Sequence, residues 1–165
     1  VHLIGFKRAP LATTVVGVET FKKTLDRGEA GDNVGILLRG LLRKDVLRGH
    51  ALVAPGKFTV NKTYKCEIYV LKPEEGGRSK PFFSGYRPQC FVRTADLACQ
   101  IKLPEKMKMA LPGDNVTVEL KLDRPLAMEA GLRFALREGG KTVASGVIAE
   151  VIPDSEEDMK EEEKK

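Results

Sequence analysis

Apolar and polar residues alternate with a period of two along most of the chain. The runs cover residues 1–6, 13–20, 33–39, 64–71, 89–93, 115–122, 132–137 and 142–151, and this spacing sets one face of a strand against a core. Turn signals part them at Gly31-Asp32, Gly76-Gly77, Pro112-Gly113-Asp114 and Gly139-Gly140. Short strands punctuated this way predict an all-β barrel or sandwich. Residues 19–26 compete as helix, because Phe21 and Leu25 lie four apart among lysines. We read the segment as a strand passing into a brief turn that ends near Gly28, and residues 43–47 as a short helical turn.

The tetrapeptide Gly-Asp-Asn-Val occurs at 31–34 and again at 113–116. Gly and Asp suit a turn, and Asn can start the following strand by bonding local backbone groups. The repeat predicts two antiparallel β-barrels with similar corners, divided at Pro55-Gly56. Residues 1–54 are too few to close a six-stranded barrel, so the first barrel is expected to be incomplete at its amino-terminal side. Residues 55–152 are expected to form a whole one. Residues 153–165 read as a charged, solvated, flexible tail. The chain opens at Val1 directly in a strand-like run, which reads as a piece of something longer, with any targeting peptide upstream.

Composition narrows the partner class. With 42% hydrophobic and 31% charged residues the chain suits a folded globular protein and not wholesale disorder. No apolar run approaches the roughly 20 residues that cross a bilayer, so no membrane partner is expected. The net charge is +5. Residues 153–165 hold seven acidic residues and three lysines, which leaves +9 on the preceding body. A basic body favours polyanions, because neutralised phosphates release counterions. A merely soluble basic surface has the same composition.

Residues arranged for chemistry are few. His2 and His50 lack Cys or acidic partners at ligand spacing, so no metal site is expected. Cys66, Cys90 and Cys99 have no paired metal spacing and read as reduced thiols of an intracellular protein, packed as small apolar residues. There is no Gly-rich phosphate loop ending in Gly-Lys-Ser/Thr and no Gly-x-Ser-x-Gly elbow. No catalytic residue is assigned, and the segment is expected to be no enzyme by itself.

Three longer blocks carry more. Glu74-Glu75-Gly76-Gly77-Arg78-Ser79-Lys80-Pro81-Phe82-Phe83-Ser84-Gly85-Tyr86-Arg87-Pro88-Gln89 resembles the opening of the third domain of the translation elongation factor Tu family. The run from Gly131-Leu132-Arg133-Phe134 through Thr142-Val143 resembles the end of that domain. Residues 30–40, with Arg48-Gly49 ahead of Pro55-Gly56, are similar to the family's second domain. The resemblance spans residues 1 to about 152 in order. It implies the carboxy-terminal part of such a factor, the end of domain 2 plus domain 3. The alternative is an RNA-binding β-barrel module of another translation factor, from which the blocks at 82–89 and 133–143 discriminate.

What the resemblance implies for function can be placed on residues. Asn33 matches the asparagine that lines the pocket for the aminoacyl end, where an amide can both donate and accept. Its residue-level alternative is turn capping. Gln89, Arg124, Glu138 and Gly139 match residues that support the T-stem of tRNA, through phosphate, ribose hydroxyl and close backbone approach. Ala98 stands where family members often carry a threonine in this contact. Arg39, Arg43, Lys44 and Arg48 form a basic cluster that suits RNA, the ribosome or plain solvation. The implied partners are aminoacyl-tRNA, the ribosome, the factor's own GTPase domain and a nucleotide-exchange factor of the Ts type. GTP and Mg²⁺ belong to the family's first domain, so this chain is expected to hold no cofactor. The basic body and the acidic extension suggest a mitochondrial member, with bacterial cytoplasm or plastid as alternatives.

Overall fold

Fourteen strands and two short 3-10 turns form the described residues, 1–155 and Met159, of the computed structural model. In chain order they are β1 (His2–Gly5), β2 (Lys7–Ala12), β3 (Val15–Thr20), β4 (Lys23–Leu25), β5 (Gly35–Leu38), β6 (Ala51–Val53) and β7 (Asn61–Val70). There follow β8 (Phe82–Phe83), β9 (Gln89–Val92), β10 (Ala95–Lys102), β11 (Met109–Ala110), β12 (Asn115–Leu126), β13 (Arg133–Glu138) and β14 (Lys141–Ile152). Six of them close an antiparallel barrel in the order β10-β12-β7-β14-β13-β9. The fold is all-β, as the alternation predicts.

Register explains the barrel core. Val118 pairs with Cys66 and Leu120 with Tyr64 across β12 and β7, so inward residues of neighbouring strands stack in layers. Tyr64, Cys66, Val70, Ile101, Leu120 and Leu136 are fully buried there, each larger apolar one worth about 1.5–3 kcal/mol. Strand β10 is absent from the sequence-predicted runs. Its inward residues are Ala95, Leu97, Cys99 and Ile101, and small Ala and Cys blur the contrast with Ala98, which points the other way. All three cysteines are free and buried, and burial pushes the Cys66 thiol up to about 12.

Residues 1–54 make two three-stranded sheets, β2-β1-β6 and β4-β3-β5, and neither closes. The first docks on the barrel: Ile4 packs with Val60 and Ala127 in a small second core flanked by Ala51 and Val53. The second sheet buries none of its residues. Within it, residues 19–26 differ from expectation. Phe21 and Lys22 have φ of 44° and 66°, and the chain turns back at once into β4. Left-handed residues at both centres of a two-residue turn match a type I′ hairpin, usually announced by Asn or Gly, and no such signal is present here. The Arg43–Asp45 turn forms as expected.

Two contacts fasten the first sheet to the barrel. Gly49 has φ +101°, and a Cβ there would lie 2.6 Å from Phe6 Cζ and 3.1 Å from Ala95 Cβ, so only glycine lets the chain pass through this seam. Asp154 begins the acidic run inside the fold. Its Oδ1 accepts the Lys62 backbone N–H at 2.9 Å, and its Oδ2 meets Arg8 of β2 at 2.7 Å with the Asp154 side chain only 3% exposed. The solvated tail expected for 153–165 therefore does not include Asp154, and most of the rest of it lies outside the described residues.

Candidate nucleic-acid interface

Outward positions of β9, β10 and β13 share one face of the barrel. Gln89 opens β9, exposed, opposite Ala98 of β10 on one side and Arg137 of β13 on the other. Ala98 thus sits directly beside Gln89. Arg137 donates Nη2–H to the Gly140 carbonyl, and its guanidinium lies 5.4 Å from the Phe91 ring centroid. Strand β13 ends at Glu138, and the chain reverses through Gly139-Gly140 with φ of +54° and +80°. A Cβ at Gly139 would meet nothing within 4 Å. The glycine serves backbone conformation and leaves the hairpin tip open to a close approach.

Glu138 is not a bare carboxylate. Its Oε2 accepts Tyr86 O–H at 2.7 Å and Arg78 Nη1–H at 3.0 Å. Arg78 also lies 4.7 Å from the centroid of the Tyr86 ring, which stacks on Phe82 at 4.8 Å. Burial, and then the bond to Glu138, push the Tyr86 phenol up to about 12, so it remains a donor at neutral pH. Sequence alternation singles out neither Arg78 nor Tyr86, because nothing in it marks a side chain that orients another across 52 or 60 residues. The block match at 74–89 contains both.

Next along this face, Arg87 Nη2 bonds both oxygens of Asp123, at 2.8 and 2.9 Å. The adjacent Arg124 is exposed and sits 4.4 Å above the ring of Phe6 from the first sheet, a cation–π contact. Arg124 also lowers the pKa of His50, after the larger effect of burial. Among the described residues Arg124 has no carboxylate partner. Glu138 is thus tied to Tyr86 and Arg78, Gln89 pairs with Ala98 and Arg137, and Arg124 follows the Arg87-bound Asp123 along β12 with its guanidinium on Phe6.

Asn33 stands apart, exposed just before β5. Its carbonyl accepts Thr20 Oγ1–H at 3.1 Å. The turn-capping role falls to its neighbour: Asp32 Oδ2 accepts the Glu29 N–H at 2.8 Å. The second copy repeats this, with Asp114 Oδ2 accepting the Leu111 N–H at 2.8 Å. The amide of Asn33 makes no hydrogen bond among the described residues. In the basic cluster, Arg48 donates Nε–H to the Thr94 carbonyl at 2.9 Å and so ties the seam.

Among the described residues no group of three or more His, Cys, Asp or Glu is placed to hold a metal ion, and no helix is long and apolar enough to cross a membrane. The family model described as Elongation factor Tu C-terminal domain matches residues 57–152, more than half of the chain. The match covers all six strands of the closed barrel and the face just described.

Proposed function

The chain belongs to the elongation factor Tu C-terminal domain family, and from that premise we propose that its barrel holds aminoacyl-tRNA for delivery to the ribosome, with Asn33 on the side of the aminoacyl end. The observation that carries this reading is the set of exposed groups that the barrel presents on β9, β12, β13 and the hairpin after it: Gln89, Arg124, Glu138 held by Tyr86, and Gly139. They combine a cation with no carboxylate partner among the described residues, an amide, an oriented carboxylate and an open glycine turn. Arg124 suits a backbone phosphate. Gln89 and Glu138 suit ribose hydroxyls, with Ala98 giving a flat floor between strands. Such contacts position an RNA without reading its sequence, as a factor serving many tRNAs requires.

GTP and Mg²⁺ do not fit the residues present, because the chain lacks a phosphate loop to cradle the nucleotide. In the whole factor the GTPase domain supplies that chemistry, and this chain supplies binding.

The test is a titration of aminoacyl-tRNA against the purified chain at several salt concentrations. Binding is expected to be weak and to fall steeply with salt, and Arg124→Ala is expected to reduce the salt slope by about one. Affinity and slope unchanged in Arg124→Ala would refute the assignment of this face.

A further inference from the structure

A pocket of about 180 Å³ opens at the seam between the first sheet and the barrel. Phe6 and Leu47 wall it, and Lys7, Lys44, His50 and Arg124 line it with a single carboxylate, Asp45. That carboxylate is already engaged: Asp45 Oδ2 accepts the Leu42 N–H at 2.8 Å and caps the 3-10 turn. Lys7 and Lys44 form no ion pair among the described residues. Elsewhere many surface cations are matched, as in Arg27–Glu29, Arg78–Glu138, Arg87–Asp123 and Lys102–Glu119.

His50 adds a donor of known tautomer. Its Nδ1 accepts the Leu47 N–H at 3.3 Å, so in the neutral ring the proton resides on Nε2. Its ring centroid is 5.2 Å from that of Phe6, whose ring also carries the Arg124 guanidinium at 4.4 Å. Apolar walls thus hold three cations and an imidazole N–H around a small volume. Charges placed beside apolar surface are less screened than in open water, and the cation excess repels itself until an anion enters.

We propose that this seam pocket is a phosphate subsite that takes one backbone phosphodiester of the bound RNA, with Lys44 and Arg124 as cationic partners and His50 Nε2–H as donor. The proposal rests on the RNA-holding reading of the barrel face and extends it across the seam. Lys7 lines the same pocket.

An anion here reverses the electrostatics at His50. The charged groups that line the pocket with the imidazole are Arg124 from β12, Lys44 and Asp45 from the 3-10 turn, and Lys7 at the start of β2. Arg93, which shares a neighbouring crevice with His50, is matched by Glu129 at 3.5 Å. A phosphate among the three cations therefore favours the imidazolium and raises the His50 titration midpoint.

The experiment follows the ring signals of His50 by NMR in the whole chain, first with inorganic phosphate and then with a short RNA stem. His2, which lines a different cavity, serves as the internal reference. Both ligands are expected to raise the His50 midpoint, and Lys44→Ala is expected to weaken phosphate binding about tenfold and to lower the RNA salt slope by about one. Lys44 is exposed, and a Lys44→Arg variant is expected to restore both effects. Phosphate that leaves His50 unmoved overturns the subsite, whether or not RNA binds. RNA bound with an unchanged slope in Lys44→Ala overturns its use for RNA while the barrel face stands. A His50 response to phosphate without any RNA binding upholds the anion pocket and sinks the RNA-holding reading.

Discussion

His50 couples packing to protonation. Burial first, and then the neighbouring Arg124, hold its folded pKa below the ordinary 6.5. Between the folded value and 6.5 the unfolded chain binds more protons than the folded one, so stability declines as pH falls through that window and levels off below it. His50→Gln is expected to flatten this part of the stability curve in urea titrations run from pH 7 downward. A decline of equal steepness in the variant would show that another group is responsible. Residue-level roles are only partly legible in the sequence. The Gly-Asp-Asn-Val repeat announces two similar turns, yet it is Asp32 and Asp114, not the asparagines, that cap them. A side chain one carbon shorter than Glu reaches the N–H three residues back from either position, and composition does not say which of two adjacent polar residues will do so. Tyr86 and Arg78 are hidden for a different reason, since they act on Glu138 across the barrel surface.

Elements are legible where inward residues are large. Strands β7, β12 and β13 carry Ile, Leu, Val, Phe and Tyr on alternate positions, and the pattern finds them all. Strand β10 relies on Ala95 and Cys99 for half of its inward face, and β4 is three residues long, so neither stands out by period. The β3–β4 turn shows local propensity overridden by pairing: Val18 pairs with Leu25 and Thr20 with Lys23, although Phe21 and Lys22 must both adopt positive φ. Relieving that strain should help. Replacing Phe21 by Asn and Lys22 by Gly is expected to stabilise the chain by about 0.5–1 kcal/mol, read as a higher urea midpoint at constant m-value. Phe21 is 91% exposed, so little packing is lost, and a lower midpoint would mean that its ring makes contacts absent from this fold.

At the scale of the molecule, the sequence does not reveal how the first sheet is fastened to the barrel. Phe6, Gly49 and Asp154 are far apart in the chain, and only the barrel surface brings them into one seam. Asp154 is the sharpest case, since it begins an acidic run whose composition reads as solvated. Its carboxylate instead bridges Arg8 and the Lys62 N–H. Asp154→Ala is expected to cost about 2 kcal/mol, because it removes a nearly buried carboxylate that meets both the Arg8 guanidinium and the Lys62 N–H, and a thermal melt reads the loss. A change within a few tenths would mean that the Ile4–Val60–Ala127 core and the contacts around Gly49 and Phe6 hold the first sheet without Asp154.

The seam matters to the proposed function because it sets Arg124 beside Phe6, and Arg124 is one of the residues proposed to meet the RNA. Backbone amide shifts report that face residue by residue, so the most direct measurement is a two-dimensional NMR titration of the chain with aminoacyl-tRNA. The largest shifts are expected at Gln89, Arg124, Glu138 and Gly139, with smaller ones at Tyr86 and Ala98. Shifts confined instead to the groove about 420 Å³ in volume around Glu67, Thr117 and Ser145, or no shift at saturating tRNA, would contradict the account.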